Sequence, residues 1–285
     1  MQELSGRTAL VTGASKGLGL YIVRALIKER MNVVLSGVSE NELSQATTSF
    51  SQSGVKLLSV ITDLTDRTAV ETLVTSAIEE FGAIDVLVNN AGVETFFAYH
   101  NLCLDQIEYV IRVNLLGTMI LTRLVLPGML KRGQGHIVNM SSLSGKAGPP
   151  YSESYAATKA GIIAFTESLR SEYYKTGIGC SVICPGFVEA GIYQRVVDET
   201  GQRISRLLGT SSPEAVANAV VQAIKKDLPE IIINPGPTRL LTALAELSPW
   251  FGEKLMRLVG VVQWFETVAK IREDRQGLKQ KIKHS

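Results

Sequence analysis

The stretch Thr8-Ala9-Leu10-Val11-Thr12-Gly13-Ala14-Ser15-Lys16-Gly17-Leu18-Gly19 decides the fold. A short apolar run enters three glycines at the spacing Gly-x-x-x-Gly-x-Gly, and a helical pattern follows. A strand that turns at once into a helix needs these glycines. They allow a tight turn, a close approach of backbone to a bound pyrophosphate, and close packing of helix on strand. The helix then presents free N–H groups and a partial positive charge, which suit an anion.

Working outward, six further short runs alternate with helix-length segments. They are Asn32–Leu35, Leu57–Ile61, Ile84–Val88, His136–Met140, Ser181–Ile183 and Ile231–Ile233. Most are apolar without polar alternation, as strands covered on both faces must be. Seven such runs predict an α/β fold: a doubly wound, Rossmann-like parallel sheet of seven strands with helices on both faces. Residues 1–237 are read as this dinucleotide-binding and catalytic domain, and 238–285 as a helical C-terminal extension.

Local signals mark several helix ends. Ser39 followed by Glu42 predicts a capping box, and Ser212-Pro213 an N-cap with proline at the first helical position. Gly54 and Gly82 are expected to end the helices that precede them. In the extension, Leu247, Trp250, Phe251, Leu255, Leu258, Val262 and Phe265 recur at near-helical spacing and predict one docked apolar face. The parent domain, a second subunit or a membrane surface could cover it, and the basic segment Lys270 to Lys283 would suit anionic lipid.

The composition is that of an ordinary globular protein. Hydrophobic residues make up 45% of the 285, charged residues 20%, and the formal net charge is +2. Interspersed cations without an aromatic-basic stripe give no reason to expect nucleic acid. Cys103, Cys180 and Cys184 have no metal-ligand spacing, so no metal is expected. Their odd count argues against a disulfide framework and for a reducing compartment. The first strand begins within a few residues of Met1, and no apolar run is read as a membrane span. A cytoplasmic location is expected.

The chemical signal lies further along. Tyr155 and Lys159 are one helical turn apart and share a face. A free tyrosine, with a pKa near ~10, is a poor acid–base catalyst at neutral pH. A nearby ammonium is expected to draw it towards the working range. Ser142 ends the fifth strand thirteen residues before Tyr155, at the carboxyl edge where such sheets bind ligands. Alternation along the strand points the adjacent Ser141 the other way.

The order of the glycine turn, Asn89-Asn90-Ala91-Gly92, Asn114, Ser142 and Tyr155/Lys159 resembles the short-chain dehydrogenase/reductase family, over residues 6 to about 237. The resemblance implies an NAD(P)-dependent oxidoreductase of the carbonyl reductase or alcohol dehydrogenase type. Tyr155 would be its general acid or base, Ser142 would hold the substrate oxygen, and Lys159 would support Tyr155 and the nicotinamide ribose. Asn114 would hold a water that leads protons to the lysine. The resemblance also assigns the cofactor to Gly13, Ser15, Lys16, Gly17, Leu18 and Gly19, to Asp63 and Leu64, and to Asn90, Ala91 and Gly92. Tyr155, Lys159, Pro185, Gly186 and Val188 complete that set. Relatives commonly place a threonine where this chain has Ala190, which leaves backbone groups around Val188 to orient the nicotinamide.

An NAD enzyme usually carries an acid at the end of the second strand. Leu35-Ser36-Gly37-Val38-Ser39 has none, and Lys16 lies within the turn. These residues favour NADP (NADPH) over NAD, while Val38 lacks the arginine that many NADP-preferring relatives have. The expected substrate is an apolar carbonyl compound or the corresponding secondary alcohol. Its pocket would be built from Glu94–Phe97, Leu143–Tyr151 and a lid within 187–208. A homodimer or homotetramer is implied, with Ile120, Leu124, Ile163 and Phe165 as contact positions. A non-catalytic NADP-binding sensor or scaffold would be marked by loss of Tyr155 or Lys159, and both are present. An isomerase or lyase on the same fold remains open.

Overall fold

The computed structural model describes residues 1–205 and 208–283, excepting the side chains of 277–283. Seven parallel strands form one sheet in the order β3-β2-β1-β4-β5-β6-β7. The strands are β1 (Thr8–Thr12), β2 (Asn32–Gly37), β3 (Leu57–Ile61), β4 (Val86–Asn89), β5 (Gly135–Met140), β6 (Ile178–Pro185) and β7 (Glu230–Ile233). The intervening helices are α1 (Leu18–Lys28), α2 (Glu40–Ser49), α3 (Arg67–Phe81), α4 (Leu104–Ile111), α5 (Gly117–Arg132), α6 (Glu153–Glu172), α7 (Gly191–Thr200) and α8 (Pro213–Lys226). Beyond β7 come α9 (Thr238–Leu247), α10 (Pro249–Leu258) and α11 (Val261–Lys283).

The unbroken apolar runs follow from burial on both faces. Val11, Val33, Val86 and Val138 pack with Ile22 and Leu26 of α1 and Val220 of α8. Their neighbours Leu10, Val34, Leu87 and Ile137 pack on the other face with Leu73 of α3 and Leu121 of α5. The strand order reverses between β1 and β4, which opens a crevice at their carboxyl ends.

Asp66 caps α3, Ser212 caps α8, and Gly82 ends α3 with φ 78°, each by a local hydrogen bond. Two expectations need correction. Ser39 accepts the Glu42 N–H, but the Glu42 carboxylate goes to Lys16 and Ser15, so the box is only half made. Gly54, with φ 74°, lies in the turn before β3, because α2 already ends at Ser49.

A further correction concerns apolar length. α4, a π-helical turn (Arg112–Leu116) and α5 run on as Leu104–Arg132. An 18-residue window of mean hydropathy 1.5 makes this helix long and apolar enough to cross a membrane. Half of that window is buried within the protein, as expected of a helix lining the core.

The extension also departs from a single docked face. Trp264, Phe265, Val268 and Ala269 of α11 are buried, whereas Leu247, Trp250 and Leu258 are 84%, 67% and 83% exposed. Pro249 starts a new helix and Gly260, at φ 85°, starts another, so the apolar residues lose their common register.

One buried polar pair has a pH consequence. The His136 ring lies in β5 with Nε2 2.8 Å from the Ser181 hydroxyl, which donates its own proton to the Leu228 carbonyl. Nε2 therefore carries the proton of the neutral ring. Burial pushes this histidine down to about 4. The unfolded chain takes up a proton below about 6.5 and the folded one does not, so stability falls as pH drops through that interval. His136→Gln is expected to remove a loss of about 3 kcal/mol that the parent shows once pH has passed both values. Urea denaturation at pH 7, 5.5 and 4 checks it; equal pH slopes in the two proteins would contradict the assignment.

Candidate active site

The chain reverses at the β1–α1 turn with Gly13 at φ 62° and Gly17 at φ 56°. A side chain at Gly13 would stand 2.9 Å from Ala91 Cα, and one at Gly17 2.8 Å from Gly191 Cα. The turn is thus pressed between the end of β4 and the start of α7. The Thr12 hydroxyl accepts from the Asn90 and Ala91 N–H groups at 3.0 and 3.1 Å. The Asn90 side chain donates back to the carbonyls of Thr12 and Gly13. α1 has no side-chain N-cap, which leaves its first turn facing the cleft for an anion.

Seventeen of the expected site residues line one cavity of about 1000 Å³: every cofactor position, Tyr155 and Lys159 among them, together with Ser142. Asp63 stands at the β3 end. Both hydrogen bonds it accepts, from Thr65, fall on Oδ1, and the cap of α3 comes from Asp66 instead. Val188 is buried and bridges to Ser211, while Ala190 N–H donates to the Val188 carbonyl at 2.7 Å.

Asn114 lies behind this wall, in the π-helical turn. Its Oδ1 accepts from Val93 N–H, and Nδ2 donates to the Val93 carbonyl and Thr158 hydroxyl. The Thr158 hydroxyl donates in turn to the Tyr155 carbonyl. Both amide protons are therefore used. The side chain thus holds the β4–α4 loop against α6, while the Asn114 carbonyl accepts from the Thr118 hydroxyl.

Both serines line the cavity, but their hydroxyls part: Ser141 Oγ donates to the Lys159 carbonyl at 2.7 Å, while Ser142 Oγ accepts from Ser144 N–H and lies 3.5 Å from the Pro185 carbonyl. Lys159 Nζ donates to the Met140 carbonyl at 2.8 Å and sits 5.6 Å from the centre of the Tyr155 ring. Burial pushes the lysine down to about 8. Burial also raises the Tyr155 phenol to about 12, against a hydrogen bond from Ser142 that lowers it and the Glu94 charge that raises it. Loss of hydration outweighs the downward pull that a nearby ammonium exerts.

The apolar end of the cavity is an aromatic cluster. Phe96 meets Tyr155 edge-on at 6.0 Å and Phe265 at 5.0 Å; Phe187 meets Tyr193 at 5.4 Å and Trp264 at 5.1 Å. Trp264 and Phe265 bring α11 into the site. An ion cluster clasps it there: Arg272 reaches Glu94 at 2.9 Å and Glu199 at 2.6 Å, and Arg195 reaches Glu94 at 3.1 Å. Burial works against the Arg272 charge, but the bonds with Glu94 and Glu199 outweigh it. Sequence reading missed this clasp, because Glu94 and Arg272 are remote in sequence and no local pattern pairs them. It also missed Glu42 as a cavity residue, since the interval from Ser39 suggested capping alone.

A family model described as short chain dehydrogenase matches residues 7–201. The ketoacyl reductase HetN of Nostoc sp. is 40% identical over 277 residues, covering 95% of this chain and 96% of that protein. The D-beta-hydroxybutyrate dehydrogenase of Cupriavidus necator is 32% identical over 200 residues, covering 70% and 78%. A crystal structure of an actinorhodin polyketide ketoreductase variant with NADPH superposes with a TM-score of 0.75 at 31% identity, covering 82% of this chain and 97% of that one. The chain belongs to the short-chain dehydrogenase/reductase family of oxidoreductases, which use nicotinamide cofactors.

The clasp makes a direct prediction. The Arg272 and Glu94 side chains are only 11% and 4% exposed, so Arg272→Ala leaves the buried carboxylate to Arg195 and the Phe96 N–H. A stability loss on the order of 2 kcal/mol is expected, below that of a fully stranded charge. Thermal melting of the two proteins measures it, and an unchanged midpoint would show the pair to be dispensable.

Proposed function

We propose that this protein reduces an apolar ketone or aldehyde, or oxidises the corresponding secondary alcohol, with NADP(H) preferred over NAD(H). The observation that carries the reading is the convergence of Ser142, Tyr155 and Lys159 on one cavity with the glycine turn. The glycine cradle and the uncapped start of α1 fit a dinucleotide pyrophosphate. When bound, the dinucleotide supplies or accepts a hydride.

The chain's own residues handle the oxygen and its proton. Ser142 holds the substrate oxygen, and Tyr155 gives it a proton. With its phenol raised to about 12, Tyr155 stays protonated at neutral pH, the form that reduction requires. Lys159, anchored on Met140, presents its ammonium beside the phenol and supports the nicotinamide ribose. The aromatic walls Phe96, Phe187, Tyr193, Trp264 and Phe265 exclude water and favour an apolar substituent. NADP(H) is favoured by Lys16, which lines the cavity at the end of β2. The ketoacyl reductase and NADPH-bound ketoreductase relatives support the same direction and cofactor.

A dimer is also proposed. Ile120, Leu124 and Phe165 are half-buried and Met119 is exposed on α5 and α6, while Ile163 belongs to the core. Light scattering at micromolar concentration should return at least twice the chain mass.

A screen of NADPH oxidation against ketones, aldehydes and quinones is expected to find turnover of apolar carbonyls. Tyr155→Phe should then lower turnover by ~10²–10⁴-fold while cofactor affinity stays nearly constant. Near-normal turnover in that variant would remove Tyr155 from the mechanism. Lys16→Ala should weaken NADPH and spare NADH, because its charged contact exists only with the 2′-phosphate. Calorimetric titration of both cofactors decides this.

A further inference from the structure

We infer that Glu42 is a cofactor-specificity residue, competing with a ribose 2′-phosphate for Lys16 and receiving a ribose 2′-hydroxyl in its place. The inference rests on reading the cavity as a dinucleotide site. In doubly wound folds the acid that receives the 2′-hydroxyl comes from the end of the second strand. Here that end is Ser36, Gly37 and Val38, without a carboxylate, and α2 supplies one from the next turn of the chain.

Glu42 Oε1 lies 2.7 Å from Lys16 Nζ, and Oε2 accepts from the Ser15 hydroxyl at 3.2 Å. All three residues line the cavity beside Gly37 and Val38. Gly37 brings them together, since a side chain there would stand 3.1 Å from Ser15 Oγ. Ser39 fixes the first turn of α2 by accepting the Glu42 N–H, and the carboxylate leaves the cap for the glycine turn. The hydrogen bond from Lys16 holds the Glu42 carboxyl below the usual carboxylate range, against the effect of burial. Glu42 is therefore an anion at neutral pH.

The pair is open to water, with side chains 69% and 34% exposed, so by itself it adds little stability. An incoming phosphate can draw Lys16 away. It then meets the Glu42 charge at close range, and Val38 offers no second cation to offset it. A 2′-hydroxyl has the opposite relation, because it donates to a carboxylate. One residue thus weakens the phosphorylated cofactor and strengthens the other, a repulsive element that narrows the preference Lys16 creates.

Glu42→Gln keeps the size and removes the charge. Calorimetric titration of the full chain with NADPH and NADH, and with 2′,5′-ADP as a probe of the adenosine end alone, is the test. NADPH and 2′,5′-ADP should bind roughly tenfold more tightly to the variant, and NADH several-fold more weakly. Adding Lys16→Ala should remove the part of the gain that comes from freeing Lys16 and leave the smaller part that comes from relieved repulsion. Glu42→Ala, which cannot restore any hydrogen bond, should show the same direction for NADPH. If the parent binds both cofactors and neither Glu42 variant tightens NADPH, the role of Glu42 is refuted and the dinucleotide reading stands. A parent that binds neither cofactor would overturn both.

Discussion

The structure depends on how closely two chain reversals approach each other at the carboxyl ends of β1 and β4. Gly13 meets Ala91 where a side chain would not fit, and Asn90 donates from its backbone and its side chain to the Thr12 hydroxyl and carbonyl across the gap. Neither turn can move without breaking the other, so the crevice floor is rigid. The start of α1 and the end of β4 are aimed at the same space by this one contact. Parallel strands already require crossovers that separate their loops. The two bonds from Asn90 to Thr12 convert that loose edge into a fixed cradle.

Burial acts on the chemical groups in opposing ways. It raises the Tyr155 phenol and lowers the Lys159 ammonium, so each is held closer to its neutral form than in water. At neutral pH the cavity therefore presents a protonated phenol. Behind the two side chains a polar chain runs through the core: Asn89 donates to Asn139, and Asn139 donates to Thr166 of α6. It joins β4 and β5 to the helix that carries Tyr155 and Lys159, fixing that helix against the sheet.

Much of this was legible in the sequence, because its causes are local or periodic. The seven strands declare themselves by apolar runs without alternation, and strand geometry parts the hydroxyls of Ser142 and Ser141. Gly82 and Ser212 carry their caps in adjacent residues. What could not be read arises from contacts between distant segments. Glu42 looks like a capping residue until α2 is placed beside the glycine turn. The grip of Asn114 on the β4–α4 loop shows only once Val93 and Thr158 are placed beside it. The register of the extension is broken by Pro249 and Gly260, which spacing alone passes over. The Tyr155 phenol lies above its free value because burial strips its hydration, which no motif reveals.

The clasp between α11 and α7 bears on the order in which this protein can mature. Trp264 and Phe265 are translated long after Tyr155, Lys159 and the glycine turn, yet they form the wall against which Phe96 and Phe187 rest. A growing chain on the ribosome can complete its seven-stranded sheet while this wall is still missing. The aromatic end of the cavity is finished only when α11 emerges and Arg272 finds Glu94 and Glu199. That wall thus arrives as a late event of synthesis, after the sheet has formed.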